Sequence, residues 1–336
     1  MGNKTRLVQI RKGQTRKVAL VEEPLLRLLN GCGSVYELAQ GALADGISLT
    51  EAAHKKASSD TLDYDPIYRG DSDWRLLPAI DHPEETSRCL ISGTGLTHLG
   101  SAQGRQSMHE VAAQEMTDSM KMFRWGIEGG KPAAGAIGAA PEWFHKGTGR
   151  ALRAHNEPIE VPAHAEDGGE EGEVAGIYII DADGQPRRLG MAGGNEFSDH
   201  QFEKRNYLNL AGSKLRSCAL GPELVIDPKF ESVGVEVAIH RNGSVLWSKS
   251  FQTGEAGMCH SLQNIEHHHF KFDAHRRPGD VHVHFFGTAC LSFSDGVRLQ
   301  DGDVMHVAFE GFGRPLRNSV KWAGTAPKLV SAIPLG

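Results

Sequence analysis

The chain has 336 residues and a formal net charge of −6, and 39% of its residues are hydrophobic and 23% charged, which is typical of a globular protein of one or two domains. The acidic balance excludes the basic surface that nucleic-acid binding requires, and no stretch approaches the about 18 uninterrupted apolar residues of a membrane span. Five scattered cysteines without a C-x-x-C pair, and a start without an apolar core, indicate a cytoplasmic protein with reduced thiols.

The N-terminal part is predicted to form a small α/β domain over residues 1–80. Two apolar runs separated by a glycine within residues 5–24 are typical of a β-hairpin. Residues 25–46 favour one or two short helices broken by glycines, and residues 48–59 favour another helix with an N-terminal serine or threonine cap. A polar connector follows, and the rest of the chain, residues 81–336, is predicted to form a second domain.

This second domain is predicted to consist mostly of strands. A glycine-rich loop over 90–110 leads into a helix over about 108–124. The stretch PEWFHKG at 141–147 alternates polar and apolar residues and predicts a short strand. The apolar run of 174–180 predicts a buried strand, which the D-A-D-G turn at 181–184 connects to the next strand. Further strand signals separated by turns continue from residue 221, so the sequence predicts an α+β fold.

Two glutamates at the start of the buried strand raise a question of charge. Side chains two residues apart in a strand point to the same face, so Glu171 and Glu173 should lie side by side. Like charges held this close repel each other, and burial strengthens the repulsion. Either a cation lies between the two carboxylates, or they belong to a solvated turn. These two residues alone do not decide between the alternatives.

Five motifs in order over residues 85–322 resemble the fumarylacetoacetate hydrolase superfamily. Together with the E-x-E pair they are GGNEFSD (193–199), AGSKLRSCALGPEL (211–224), HFFGTA (284–289) and LQDGDVMHVAFEGFGRPLRNSV (299–320). The resemblance implies a mixed β roll of the fumarylacetoacetate hydrolase type, with a divalent metal, usually Mg²⁺, held by carboxylates. It also implies self-association as a homodimer or homotetramer.

Carried over to this sequence, the resemblance implies that the metal ligands are Glu171, Glu173 and Glu196. Three hard oxygen donors suit Mg²⁺ or Mn²⁺. The family most often has Asp as the third ligand, so Glu196 is a departure from its pattern. Lys214 matches a family lysine whose ammonium can stabilise the charge that develops when a 2-keto acid loses a proton. Gly287 and Thr288 match a turn that contacts the substrate carboxylate.

The upstream segment 92–108 favours one branch of the superfamily. Hydrolytic members commonly add an Asp ligand and a His–Glu pair there, whereas this segment has no acidic residue and offers only His98, Ser101 and Arg105, which we expect to bind the substrate. Glu142 stands before the E-x-E pair as in members that dehydrate 2-keto-3-deoxy sugar acids, and it is the candidate acid and base. The resemblance thus implies a Mg²⁺-dependent dehydratase of a 2-keto-3-deoxypentonate, with 2,5-dioxopentanoate as product.

Two alternatives remain open. A hydrolase of the same fold could cleave a 2,4-diketo acid to pyruvate and a second acid, with His98 or His109 activating water. A non-catalytic sugar-acid-binding protein could retain the metal site.

A separate feature is the run of three histidines in IEHHHFKFDAH (265–275). It is predicted to be a solvated or interface turn, because adjacent histidines point in different directions and cannot easily share one ion.

Overall fold

A computed structural model describes residues 4–108 and 117–336, without the side chains of 104–108. In the first half of the chain the strands are β1 (Arg6–Lys12), β2 (Thr15–Glu22), β3 (Leu25–Leu29), β4 (Ala57–Asp63), β5 (Arg75–Leu76), β6 (Cys89–Gly95), β7 (Glu142–Thr148), β8 (Leu152–Arg153) and β9 (Ile159–Val161). In the second half they are β10 (Gly172–Ile180), β11 (Pro186–Asn195), β12 (Cys218–Leu220), β13 (Leu224–Val225), β14 (Val233–Arg241), β15 (Ser244–Thr253), β16 (Val281–Phe285), β17 (Val304–Phe309) and β18 (Leu316–Trp322).

Helices are short and connect these strands. They are α1 (Val35–Asp45), α2 (Leu49–Lys56), α3 (Tyr64–Arg69), α4 (Leu99–Met108), α5 (Asp118–Gly129), α6 (His200–Arg205), α7 (Leu210–Lys214) and α8 (Leu262–Phe270). Capping residues explain several of the helix starts. The hydroxyl of Ser34 accepts a hydrogen bond from the Glu37 N–H at the start of α1, and Ser48 does the same for Glu51 in α2. None of the helices in the described part of the chain is long and apolar enough to cross a membrane.

The strands form two sheets. The larger sheet runs in the order β4-β3-β2-β1-β13-β11-β10-β16-β6-β7, with β5, β8 and β12 beside this path. The smaller sheet runs in the order β15-β14-β17-β18-β9. Most pairs are antiparallel, whereas β16–β6, β8–β12 and β9–β18 are parallel. Two mixed sheets with a few short helices confirm the predicted α+β fold.

The N-terminal segment does not stand apart from the larger sheet. Its hairpin turns at Gly13, which has the positive φ of +57° that a tight turn requires, so the predicted hairpin is confirmed. Strand β1 then pairs with β13 through Arg6–Val225 and Leu7–Leu224. The small domain predicted over residues 1–80 therefore shares a sheet with the body of the protein.

Three local predictions were wrong. The glycine-rich loop predicted over 90–110 instead contains most of β6 (Cys89–Gly95) and the whole of α4 (Leu99–Met108), because β6 pairs with β16 and β7. Residues Leu25–Leu29 were predicted to be helical but form β3, because β2 and β4 provide hydrogen-bonding partners on both sides. The histidine run was predicted to be a turn but lies in α8, where Ser261 caps the helix and His268 and His269 are buried. Tertiary contacts decided the last two cases, because neither segment has a strong pattern of its own.

The strand that carries the E-x-E pair lies at the centre of the larger sheet. All nine residues of β10 are buried, and it pairs with β11 and β16 on its two sides. The predicted turn connects β10 and β11, with the Gly184 N–H donating to the Asp181 carbonyl at 3.1 Å. Because β10 and β11 are antiparallel, the start of β10 lies beside the end of β11, with Gly172 opposite Asn195. This pairing brings Glu171 and Glu173 close to Glu196.

Candidate metal centre

The ends of β10 and β11 bring three glutamates together. The carboxylates of Glu171, Glu173 and Glu196 each offer an oxygen, and these oxygens all lie within 4.8 Å of one another. The three residues are 7%, 2% and 0% exposed, so the solvated-turn alternative for the E-x-E pair is excluded. Glu170 accepts hydrogen bonds from the backbone N–H and hydroxyl of Ser292 at 2.8 and 2.7 Å instead. Alternation along the strand thus separates the candidate ligands from their acidic neighbour.

Lys214, which the family resemblance pointed to, lies between two of these carboxylates. Its Nζ donates to Glu171 Oε1 and to Glu196 Oε2, both at 2.6 Å, and the side chain is 1% exposed. The residue ends α7, and its ammonium also lies 4.7 Å from the centre of the Phe144 ring on β7. The ammonium is therefore held at the carboxylates by contacts from three elements.

Two further basic residues contact the carboxylates and were not predicted. Lys146 on β7 places its Nζ 2.6 Å from Glu196 Oε1, with both side chains fully buried. The Nε2 of His200, at the start of α6, lies 3.0 Å from Glu171 Oε1. The sequence held a signal for Lys146, because it stands four residues after Glu142 and shares its strand face. No comparable pattern marks His200.

The electrostatics of the three carboxylates are uneven. Burial would raise the pKa of Glu171, but the Lys214 ammonium and the His200 hydrogen bond outweigh it and hold this pKa well below its usual value. Burial and the charges of Glu171 and Glu196 raise the pKa of Glu173 well above its usual value. A cation bound between these three buried acids would reduce the repulsion among their carboxylates.

The donor set fits a hard divalent cation. The three candidate ligands are carboxylates with no sulfur or imidazole among them, which suits Mg²⁺ or Mn²⁺. Within residues 4–108 and 117–336, no other group of three acidic, histidine or cysteine side chains has the geometry to hold an ion. The carboxylate cluster is thus the candidate metal centre in the described part of the chain.

Glu142 lies beside this centre. It is 5% exposed and begins β7, opposite Gly95 of β6. Gly95 lines the cavity at the carboxylates, and a side chain at this glycine would collide with Glu142 Oε1, so the Glu142 carboxylate lies against Gly95 without itself lining the cavity. The hydroxyl of Tyr207 donates to Glu142 Oε2 at 2.7 Å. Tyr207 was not predicted, because it belongs to a separate short turn after α6.

The cavity contains other predicted residues. Ser101, Gly287 and Thr288 line it together with the candidate ligands Glu171 and Glu173. Its free volume is about 20 Å³, roughly enough for a single water or ion. A neighbouring surface cavity of about 290 Å³ shares Ser101 with it. The site is therefore compact here, and the larger cavity lies directly beside it.

The predicted substrate contacts have protein partners in this structure. The Gly287 N–H donates to Glu173 Oε2 at 2.7 Å, and the Thr288 hydroxyl donates to the Cys290 carbonyl at 3.1 Å. Gly287 has a φ of +92°, and a Cβ there would lie 2.1 Å from Thr97 Oγ1, so only glycine fits. Ser101 donates to the His98 carbonyl at 2.8 Å. These residues line the cavity, and their contact with a substrate stays a prediction.

His98 does not line the cavity, and both of its ring nitrogens have protein partners, so its contact with a substrate stays a prediction. The Thr97 hydroxyl donates to the Phe286 carbonyl at 2.8 Å, so it accepts from His98 Nδ1 at 2.9 Å. The Thr253 hydroxyl lies 3.0 Å from His98 Nε2 and satisfies the other nitrogen. Burial lowers the pKa of His98 to about 4. To bind substrate or activate water, the neutral imidazole would have to give up one of these two contacts.

The remaining predictions for this region lie outside the described residues. The Arg105 side chain and the whole of His109 belong to this part of the chain. Arg105 stays a predicted substrate ligand, and His109 stays the second candidate base of the hydrolase alternative.

Solved structures share the fold of this chain. A 2-keto-3-deoxyarabinonate dehydratase superimposes with a TM-score of 0.72 at 21% identity, covering 95% of this chain and 100% of that one. A 2-keto-3-deoxy-D-arabinonate dehydratase complexed with magnesium and 2,5-dioxopentanoate gives a TM-score of 0.70 at 19% identity, with 95% and 99% coverage.

An isomerase is also similar. The 2-hydroxyhepta-2,4-diene-1,7-dioate isomerase from Mycobacterium marinum gives a TM-score of 0.59 at 18% identity, with 96% of this chain and 100% of that chain covered. No family model matches the sequence, and no curated protein matches it. The structural similarities confirm the fold expected from the sequence motifs. At identities near one fifth they establish the fold and leave the reaction to be argued from the site.

Proposed function

We propose that this protein belongs to the fumarylacetoacetate hydrolase superfamily and is a Mg²⁺-dependent dehydratase of a 2-keto-3-deoxy sugar acid. The substrate we favour is a 2-keto-3-deoxypentonate, and the product is 2,5-dioxopentanoate. The observation that carries this proposal is the buried cluster of three glutamates at Lys214, with the Glu142 carboxylate packed against Gly95 of the adjoining cavity. The fold shared with the arabinonate dehydratases supports the choice of substrate.

Glu171, Glu173 and Glu196 would hold the cation. When bound, Mg²⁺ or Mn²⁺ supplies a Lewis acid that polarises the 2-keto group and makes the neighbouring C–H acidic. Lys146 and Lys214 offset two of the three carboxylate charges. With a divalent cation the cluster carries a net positive charge, which favours an anionic keto acid over a neutral ketone.

The remaining chemistry belongs to Glu142 and Lys214. The Glu142 carboxylate removes the C3 proton and returns a proton to the departing C4 hydroxyl, so that one water leaves and a C3–C4 double bond forms. Tautomerisation then converts the terminal carbinol to the aldehyde of the product with no further loss of atoms. The Tyr207 hydroxyl holds the carboxylate at 2.7 Å. The Lys214 ammonium stabilises the negative charge that develops on the substrate.

The cavity wall favours a hydroxylated substrate tail over a second carboxylate. Glu203 and Ser101 line the cavity, and a carboxylate and a hydroxyl can both hydrogen-bond to sugar hydroxyls. Among the described side chains, Lys214 is the only lysine or arginine that lines it. A seven-carbon dioate, as the isomerase's name describes, would bring its second carboxylate towards Glu203, and like charges repel. Because both ring nitrogens of His98 have protein partners, the acylpyruvase-type hydrolase alternative depends on His109 as its base.

The test is a product assay. Purified protein with Mg²⁺ is given 2-keto-3-deoxypentonates of both configurations and, separately, a 2,4-diketo acid and an unsaturated seven-carbon dioate. We expect 2,5-dioxopentanoate from one of the deoxy acids only. Pyruvate from the diketo acid, or double-bond migration in the dioate, with the deoxy acids untouched, would contradict the proposed dehydratase.

Glu142→Gln separates the chemistry from the metal site. Because the amide cannot accept the C3 proton, we expect kcat to fall roughly 10²–10⁴-fold while the protein still binds Mn²⁺. Glu160→Gln is the matched control, since Glu160 is exposed on β9, and its kcat should equal that of the native protein. A Glu142→Gln variant with native kcat would remove Glu142 from the mechanism.

We also propose an assembly state and a cellular compartment. The superfamily resemblance supports a homodimer or homotetramer. All five cysteines are unpaired, and four are buried, which supports a reducing compartment such as the cytoplasm.

A further inference from the structure

We infer that Lys146 is a positioning residue of the carboxylate cluster, which holds Glu196 in the orientation required of a metal ligand. This inference rests on the proposed metal site, but not on the identity of the reaction. Lys146 was not among the residues that the sequence motifs suggested. Its contacts, the backbone next to Glu196 and the geometry of β7 all support the role.

The contacts of Lys146 converge on the third candidate ligand. Its Nζ lies 2.6 Å from Glu196 Oε1 and donates to the Phe197 carbonyl at 2.6 Å and to the Lys214 carbonyl at 2.9 Å. Two of the three N–H groups of the ammonium donate to these two carbonyls, and the contact with Glu196 Oε1 is a close ion pair. Because the side chain is fully buried, water does not compete for these bonds. Lys146 thus contacts the Glu196 carboxylate, the backbone turn that follows Glu196, and the backbone of Lys214, whose side chain is the second ammonium of the cluster.

The backbone next to Glu196 needs such support. Phe197 has a φ of +50°, which is unusual for a bulky residue and carries strain. This turn redirects the chain after β11, and the Glu196 carboxylate points into the cluster as a result. The Phe197 ring is fully buried, and Lys146 holds the Phe197 carbonyl. The strained turn is therefore fixed from both sides, by packing and by the ammonium.

The geometry of β7 explains how a residue distant in sequence reaches this position. Glu142, Phe144 and Lys146 alternate along the strand and are buried on one face. Glu142 packs against Gly95, Phe144 packs against the Lys214 ammonium, and Lys146 reaches Glu196. One strand face thus serves the candidate base, the catalytic ammonium and the third ligand.

Two roles for Lys146 make opposite predictions. If the lysine only compensates charge, its removal leaves the cluster more negative, and a divalent cation should bind more tightly. If it positions Glu196, its removal lets the carboxylate and its turn relax, and the cation should bind more weakly. Loss of a group that orients a metal ligand typically weakens binding about 10- to 100-fold. The direction of the change therefore distinguishes the two roles.

The experiment measures Mn²⁺ binding to the full chain by water-proton relaxation, up to millimolar Mn²⁺. For Lys146→Met, which keeps most of the side-chain volume, we expect Mn²⁺ affinity to fall at least tenfold. Lys131→Met, at an exposed lysine outside the cluster, is the control and should bind as the native chain does. Native or tighter binding by a folded Lys146→Met variant would overturn the inference. Failure of the native chain to bind Mn²⁺ would instead overturn the proposed metal site.

A second comparison distinguishes positioning from general stabilisation and remains available if Lys146→Met does not fold. Glu196→Gln is compared with the double variant Lys146→Met/Glu196→Gln, in which no buried carboxylate is left without its ammonium. If Lys146 acts through Glu196, the double variant should bind Mn²⁺ as Glu196→Gln does, within about twofold. A further tenfold loss in the double variant would show that Lys146 acts independently of Glu196, and would contradict the inference.

Discussion

Two buried clusters of polar side chains lie at the same sheet, and they differ in whether their side chains remain charged. The carboxylate cluster lies at the start of β10, and a histidine cluster, defined here as His269, His282 and His284, lies on β16 and the facing helix α8. All three histidines are at most 1% exposed. Strands β10 and β16 are direct neighbours, so both clusters have the same kind of surroundings.

The histidine cluster is held together by neutral hydrogen bonds. The Trp143 indole N–H donates to His269 Nδ1 at 3.2 Å, so the neutral His269 ring donates from Nε2 to His282 Nδ1 at 2.9 Å. The Thr94 hydroxyl lies 2.7 Å from His284 Nε2. Burial, with the nearby His275, lowers the pKa values of His282 and His284 to about 3. At neutral pH this cluster carries no charge.

The comparison teaches that burial of polar groups does not by itself indicate a ligand site. The carboxylate cluster keeps charges that its two lysines do not fully offset, and it borders a cavity. The histidine cluster is uncharged at neutral pH. In the described part of the chain, its side chains do not form a group of three that could hold a metal ion. We therefore assign a ligand to the first cluster and a structural role to the second.

The largest effect should come from removing one of the carboxylates. In Glu173→Gln the repulsion among three buried acids is relieved, so we expect the metal-free protein to gain about 1 kcal/mol of stability or more. The same change should abolish the rise of the thermal midpoint with Mg²⁺ and reduce turnover at least about 10³-fold. Thermal unfolding with and without Mg²⁺, together with the product assay, measures both effects.

Glu170→Gln is the control for this prediction, since Glu170 is equally buried but binds Ser292. This variant should lose stability and keep its response to Mg²⁺. If Glu173→Gln retained the full response to Mg²⁺, the carboxylate cluster would not be the metal site.

The histidine cluster should make the protein sensitive to acid. The unfolded chain binds protons at these histidines below their ordinary pKa near 6.5, whereas the folded pKa values of His282 and His284 are about 3. The free energy of unfolding should therefore fall as the pH drops from 6.5 towards 3. At pH 5 the loss is on the order of 2 kcal/mol per histidine. Thermal unfolding at pH 7 and pH 5 measures it.

His284→Gln should reduce this pH dependence, because one buried titrating group is lost while the amide can still bond to Thr94. His164→Gln, at an exposed histidine, should leave the pH dependence unchanged. Equal slopes for His284→Gln and the native chain would show that His284 is protonated in the folded state as readily as in the unfolded state.

The smallest effect on turnover is expected at His98. His98→Asn removes the partner of the Thr97 and Thr253 hydroxyls, so stability should fall by about 1–3 kcal/mol. Because His98 does not line the cavity, kcat should change by less than about twofold, which steady-state kinetics at 25 °C would detect. A folded variant with kcat reduced a hundredfold would restore His98 to the mechanism and revive the hydrolase alternative.

Sequence reasoning succeeded where local pattern and spacing carry the information. Alternation along a strand predicted that Glu171 and Glu173 share one face, and the family resemblance pointed to Glu196 and Lys214. The structure brings these four side chains together, and their roles stay predictions. Spacing brought His98 near the site but could not show that its ring nitrogens contact Thr97 and Thr253. Sequence reasoning failed for the histidine run, whose α8 forms against the body of the protein.

What the sequence alone determined about this protein is the set of acids and their likeness to a metal-binding motif, because period-two alternation and motif spacing are properties of the chain itself. Only the tertiary structure decided how their charges are compensated. Lys146 lies 50 residues before Glu196, and the two meet at 2.6 Å because β7 and the end of β11 converge. Electrostatic interactions depend on distance in space and on burial, and neither can be read from separation along the chain.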